Sequence, residues 1–262
     1  MPYLLSIGFI VLVWAVMVFL GETRGLFAAD RFSSPAMKYL AYAWLLFFMV
    51  LLAGLVTASA QNPARSEDLK HAPFYSLFAL HAILIVFLFG WWMLTGRPRA
   101  GEFFNVQHGR NGEAVAIGAA VGVGGWVLTL AGALLVAAIL QATGLLKGDP
   151  QPSPMIGFMA ALPLWKKILI VLSAMTVEEF FFRSFLQKRV GLIASTLLFA
   201  LAHFTLGQPL LLIGVTLISL IIGITFYRTK NVVPGIVAHG VFDAIQLFVI
   251  IPVAFRVTGM GS

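Results

Sequence analysis

Residues 74–95 have the sequence FYSLFALHAILIVFLFGWWMLT, which contains no Asp, Glu, Lys or Arg. A membrane-spanning helix needs about 20 mostly apolar residues, so this stretch is long enough to cross a bilayer. Seven more apolar segments lie at about 3–20, 37–58, 114–142, 165–187, 191–204, 209–226 and 233–254. The sequence therefore predicts an all-α, polytopic membrane protein with about eight transmembrane helices, of which 191–204 is short or broken.

The composition of the chain excludes several classes of protein. Of its 262 residues, 60% are hydrophobic and 10% are charged, and the mean hydropathy is +0.98. A soluble domain carries about a quarter charged residues, so a soluble enzyme, a disordered chain and a nucleic-acid-binding domain are excluded. The net charge of +7 comes from basic residues scattered through short connections, which favours membrane lipids as partners. The absence of cysteine excludes disulfides, thiolate nucleophiles and Cys-based zinc sites.

A proline-rich connection divides the predicted helices into two groups. Residues 150–164 contain Pro150, Pro152, Pro154 and Pro163 and are predicted to form a connection or re-entrant piece rather than a continuous helix. Residues 1–150 then hold about four helices without a recognisable motif, whereas residues 151–262 hold every motif discussed below.

Glycines cluster in the fourth apolar segment, at Gly118, Gly122, Gly124 and Gly125. This spacing is typical of helices that approach each other closely in a membrane. Glycine is also simply common in membrane helices, and this second interpretation is the one favoured from the sequence.

Three of the ten acidic residues lie inside apolar segments: Glu178, Glu179 and Asp243. A charge at the centre of a membrane helix costs roughly 2.5–3.5 kcal/mol on insertion scales, so these residues are candidates for function. Glu179 and Arg183 are four residues apart and share a helix face, which predicts an ion pair. Glu178 projects about 100° away from Glu179 and must face a polar cavity or be protonated. It is therefore the candidate general base or acid.

Histidines in the following segments supply further polar groups. Phe199 and His203 share one helix face, and His239 and Asp243 share another. Glu178, His203, His239 and Asp243 can converge if their three segments are neighbours. His81 lies within an apolar segment without an acidic residue nearby in sequence, and it is interpreted as a packing histidine.

These motifs resemble a known family of intramembrane proteases. Glu178-Glu179-x-x-x-Arg183, Phe199-x-x-x-His203 and His239-x-x-x-Asp243 occur in that order, as in the CPBP family of type II CAAX prenyl proteases and bacteriocin-processing (Abi) proteins. The resemblance covers about residues 155–255. It implies that Glu178 and His203 activate a water and that His239 and the residue at 243 stabilise the oxyanion. Glu179, Arg183 and Phe199 would support the site.

One position departs from the family pattern, which often has Asn where this chain has Asp243. An ionised carboxylate cannot donate a hydrogen bond to an oxyanion. Either Asp243 is protonated, or it orients His239, which then donates. A third interpretation is a catalytic zinc or other divalent metal held by Glu178, His203 and His239. The sequence lacks a tight His-x-x-x-His pair, which favours the mechanism without metal.

The function expected from the resemblance is endopeptidase cleavage of a membrane-embedded or lipid-anchored peptide, with a prenylated CAAX-type protein as one substrate class. An ion- or proton-coupled transporter also uses intramembrane Glu, His and Asp, but it often shows internal repeats, which are not visible here. A non-catalytic membrane scaffold is the other alternative. The short connections favour a bacterial plasma membrane.

Overall fold

The computed structural model describes residues 2–23, 25–27, 31–61, 68, 71–107, 109–145, 154–203 and 209–257. The regular structure in these ranges is helical. In the first half of the chain, the helices are α1 (Pro2–Thr23), α2 (Pro35–Gln61), α3 (Ala79–Leu94), α4 (Ala100–Phe103) and α5 (Asn111–Ala142). A 3-10 turn, Phe74–Phe78, leads directly into α3.

The second half of the chain contains two π-helical turns within its helices. The helices are α6 (Pro154–Ala161), α7 (Leu164–Glu179), α8 (Lys188–Val190), α9 (Leu192–Ala202), α10 (Pro209–Thr229), α11 (Val233–Ala244) and α12 (Ile251–Val257). Phe180–Gln187 continues α7 as a π-helix, and Ile245–Ile250 continues α11 in the same way. Turns of this kind are rare and occur often at functional sites.

Five helical stretches in the described ranges are long and apolar enough to cross a membrane: Pro35–Ser59, Phe74–Leu94, Asn111–Ala142, Leu211–Thr229 and Val233–Ala254. The chain is accordingly a multi-pass integral membrane protein, but the predicted eight crossings are not confirmed. The helix α9 has 11 residues, or roughly 16 Å, about half of the hydrocarbon thickness. The stretch 164–187 is helical throughout but is not among the five, because it carries Lys166, Lys167, Glu178, Glu179 and Arg183.

The proline-rich connection contains a short helix. Pro154–Ala161 is helical, and Pro163 stands immediately before α7, where a proline needs no hydrogen-bond partner for its nitrogen. Pro150 and Pro152 lie outside the described residues. The predicted division near residue 150 also falls outside them and stays a prediction.

The chain divides into two compact units by its own packing. The first, Met1–Pro63 with Ala82–Phe103, is held by aromatic contacts such as the stacked rings of Phe48 and Phe87, whose centroids are 3.9 Å apart. The second, Ala64–His81 with Phe104–Ser262, has a core of Ile218 and Ile222 from α10 with Ala238 and Phe242 from α11. Trp126 of α5 packs against this core.

The glycines of α5 allow close contact with α11. A methyl group on Gly118 would lie 2.6 Å from Val237 Cβ, and one on Gly122 would lie 2.7 Å from Val241 Cβ and 2.8 Å from the carbonyl oxygen of Ala238. The sequence interpretation of these glycines as merely common membrane residues is therefore wrong for Gly118 and Gly122. Small residues here let two helix backbones approach each other.

We expect Gly122→Ala to lower the free energy of unfolding by about 1–3 kcal/mol, because the new methyl group meets a backbone atom that cannot move aside. Gly124→Ala is the matched control, since nothing lies within 4 Å of a methyl group at that position. Thermal and denaturant unfolding of both variants in detergent micelles measures the difference. Equal effects of the two substitutions would contradict this account of the helix contact.

Candidate active site

The candidate site is built around the carboxyl end of α7. Glu178 and Glu179 are the last two residues of the regular helix, and Arg183 lies in the π-helical turn that follows. Glu179 and Arg183 are wholly buried, and Glu178 is nearly so. Ionised side chains in such a place need partners of opposite charge or good hydrogen bonds.

Glu179 and Arg183 are brought together as their spacing predicts. Arg183 donates from Nε to Glu179 Oε2 over 3.0 Å and from Nη2 to Ser219 Oγ of α10 over 3.1 Å. The guanidinium also lies 5.3 Å from the centroid of the Phe199 ring. Side chains of two neighbouring helices, α9 and α10, therefore contact the ion pair.

His239 connects the two carboxylates of this group. Its Nδ1 lies 3.0 Å from Glu179 Oε1, and its Nε2 lies 3.3 Å from Asp243 Oδ2. A neutral imidazole can donate from one nitrogen only. The arrangement of Glu179, His239 and Asp243 therefore contains an additional proton, either on the second ring nitrogen or on a carboxyl group.

Glu178 has a different set of partners. Its Oε1 lies 3.1 Å from Nε2 of His81, whose Nδ1 lies 2.7 Å from Ser173 Oγ. The interpretation of His81 as a packing histidine is therefore wrong. The partner lies 97 residues away in sequence, so no local spacing could have revealed it. The one available signal was a polar side chain inside an otherwise charge-free apolar run.

His203 faces the other oxygen of the same carboxylate. Its Nδ1 lies 2.8 Å from the carbonyl oxygen of Phe199, and since a carbonyl can only accept, Nδ1 carries the proton. In the neutral ring Nε2 is then an acceptor, and it lies 4.0 Å from Glu178 Oε2. That oxygen is buried and has no hydrogen-bond partner among the described residues.

Residues 160–245 match the family model described as type II CAAX prenyl endopeptidase Rce1-like. This segment is an Rce1-like domain. It is also similar to an uncharacterised protein of Bacillus subtilis (strain 168), YpbD, with 38% identity over 79 residues. That match covers 30% of this chain and 42% of YpbD, so the chain spans less than half of the length of this relative. No solved structure matches the chain.

The Rce1-like domain contains each of the motif residues named from the sequence, whereas His81 lies outside it. Two contributors inside the domain were missed in the sequence. Ser219 accepts from Arg183, and Gly235 leaves room for Glu179, because a methyl group there would lie 3.1 Å from Glu179 Oε2. The only sequence signal for Ser219 was a lone serine within an apolar helix. Nothing in the sequence indicated the role of Gly235.

The residues of the Rce1-like domain do not fit the metal interpretation. Within the part of the chain that the structure describes, no three His, Asp or Glu side chains are grouped as metal ligands. His239 directs its two nitrogens to Glu179 and Asp243 rather than to Glu178 and His203. The polar side chains thus form two groups: Glu178 with His81 and His203, and Glu179 with Arg183, His239 and Asp243.

Proposed function

We propose that this chain is an intramembrane endopeptidase in which Glu178 and His203 activate the attacking water. The observation that carries this proposal is the gap of 4.0 Å between Glu178 Oε2 and His203 Nε2. Polar atoms at such a separation are commonly bridged by a water molecule. Both atoms are acceptors, so a bridging water would donate one hydrogen to each, leaving its oxygen lone pairs to face the substrate.

The reaction requires that Glu178 accept a proton and return it. As the water oxygen attacks the carbonyl carbon of the scissile bond, one water proton passes to Glu178 Oε2 and the carbonyl oxygen gains the negative charge. When the tetrahedral intermediate collapses, the C–N bond breaks and Glu178 gives the proton to the leaving amine. A positioned general base of this kind contributes roughly 10²–10⁴-fold to the rate.

His239 and Asp243 are proposed to stabilise the oxyanion. The Asp243 side chain is 31% exposed, whereas that of His239 is 8% exposed, so Asp243 is the member of the pair that a substrate oxygen reaches first. The proton that lies between His239 Nε2 and Asp243 Oδ2 would turn from this 3.3 Å contact to the oxyanion as the substrate binds. Preorganised donors at the developing charge are often the largest contribution to such catalysis.

The proposed substrate is a membrane-embedded or lipid-anchored peptide, including prenylated CAAX-type sequences, which the description of the matching family names. The five apolar helical stretches place the protein in a bilayer, where such a peptide would be met. The similarity to a Bacillus subtilis protein is in keeping with a bacterial plasma membrane. We retain the proposal that the catalytic core is formed by residues 151–262, with membrane lipids as surrounding partners.

The proposal is tested by comparing the protein N-termini in membranes that carry the wild type or Glu178→Gln at equal expression. N-termini that depend on Glu178 would identify the substrate and the cleaved bond together. Identical sets of N-termini would count against proteolysis in that host. A transporter would then be tested by comparing flux in membranes with the wild type and membranes with Glu178→Gln. A scaffold would be tested by capturing a partner with the same two proteins.

We expect His203→Ala to lower the rate of cleavage by about 10²–10⁴-fold while the protein stays folded. His203 is a quarter exposed and lies at the end of α9, so its removal leaves no buried charge without a partner. Cleavage assays with purified protein, together with the unfolding midpoint, measure both effects. A variant that unfolds at the wild-type midpoint and still cleaves at the wild-type rate would rule out the role assigned to His203.

A further inference from the structure

A third histidine contacts the proposed general base, and it comes from outside the Rce1-like domain. His81 is the third residue of α3, whereas the matching segment begins at residue 160. Its ring bridges two residues of α7, Ser173 and Glu178. We propose that His81 is a positioning residue that holds Glu178 as an oriented carboxylate. This inference rests on the proposed function in one respect, because it takes Glu178 to be the general base.

The burial of His81 indicates that its contacts are specific. The side chain is 12% exposed in an apolar helix that contains no charged residue. A polar group withdrawn from water in this way is costly unless its hydrogen bonds are made. Both ring nitrogens of His81 have a partner on α7, at 2.7 Å and 3.1 Å, so the ring joins Ser173 to Glu178 through hydrogen bonds.

The contacts of His81 also define its protonation pattern. Ser173 can donate its hydroxyl hydrogen to Nδ1, which leaves the proton of a neutral ring on Nε2, directed at Glu178 Oε1. One carboxylate oxygen is thus occupied by a donor, and the other, Oε2, faces His203. The two histidines therefore have opposite tasks. His81 donates to the carboxylate and fixes its orientation, whereas His203 presents an acceptor to the bridging water.

Replacement of His81 separates positioning from packing. Glutamine at this position can place its amide nitrogen near the site of Nε2 and still donate to Glu178, whereas leucine fills space and cannot donate. We expect His81→Leu to lower kcat about 10- to 100-fold with KM changed less than about 3-fold, since a hydrogen bond to a charged group is lost. His81→Gln is expected to recover most of kcat, and Ser173→Ala to lose less than His81→Leu. The substrate is a farnesylated CAAX peptide added to the full chain in liposomes.

The matched control is His71→Leu, because His71 is exposed and lies outside the site. It should cleave at the wild-type rate. Equal loss of activity in His81→Leu and His81→Gln, with unfolding midpoints lowered alike, would show that His81 only packs. Wild-type kcat in His81→Leu would overturn the inference directly.

A second measurement does not depend on cleavage. Dicyclohexylcarbodiimide modifies protonated carboxyl groups in apolar surroundings, and mass spectrometry locates the adduct. Without the donor from His81, the charged form of Glu178 is less favoured, so His81→Leu should raise the labelling rate at Glu178 several-fold. Labelling at Glu179, which Arg183 holds, should not change. An unchanged labelling rate at Glu178 overturns the inference. If the farnesylated peptide is never cleaved but labelling at Glu178 rises in His81→Leu, the proposed cleavage of CAAX-type peptides fails and the positioning by His81 stands.

Discussion

Glu178→Gln is expected to lower kcat by about 10²–10⁴-fold with little change in KM or in the unfolding midpoint. Glutamine has the size of glutamate and can still accept from His81 through its amide oxygen. Its amide nitrogen cannot take a proton from water, and it would donate toward His203 Nε2, where the water should donate. The substitution therefore removes the base without creating a cavity or a buried charge. Initial rates with a farnesylated CAAX peptide in liposomes measure the effect.

The control for this experiment is Glu113→Gln, at the start of α5. The Glu113 side chain is 57% exposed and forms an ion pair at the surface with Arg110, so its neutralisation should not affect cleavage. Glu178→Gln protein that cleaves at the wild-type rate would eliminate Glu178 as the base. Loss of cleavage in both variants would point to a general effect of charge on the preparation.

The part of the site that could be predicted from the sequence is the part encoded by helical spacing. Glu179 with Arg183 and His239 with Asp243 are each four residues apart, and both pairs are in contact. Partners from distant elements could not be predicted in this way. His81 reaches Glu178 across 97 residues, a contact that no local pattern records.

The predicted eight membrane crossings are not confirmed, for a related reason. Hydropathy identifies apolar segments, but α9 is too short to cross, and α7 combines an apolar face with two glutamates and a buried lysine, Lys167. Local hydropathy does not show where a helix ends or what it packs against. Gly118 and Gly122 illustrate the same difficulty, because their role becomes visible only when α11 is placed against them.

Arg183→Ala is expected to destabilise the protein by about 3–5 kcal/mol, enough to prevent stable folding in many membrane proteins. Arg183 and Glu179 are both wholly buried, so removal of the guanidinium leaves a buried carboxylate with His239 as its one donor among the described residues. His239 is already shared with Asp243. Alanine also leaves a cavity in place of one of the largest fully buried side chains. Yield, gel filtration and denaturant unfolding in micelles measure the loss.

The cause of this loss can be separated into charge and volume by a second substitution. In Arg183→Ala combined with Glu179→Gln, the unpaired charge disappears but the cavity remains, so we expect part of the lost stability to return. Arg110→Ala provides the surface comparison, because the ion pair of Arg110 with Glu113 is exposed and contributes about 0–1 kcal/mol. If Arg183→Ala were as stable and active as Arg110→Ala, the buried pair would not brace the site. If the double variant were no more stable than Arg183→Ala, the cavity and not the charge would account for the loss.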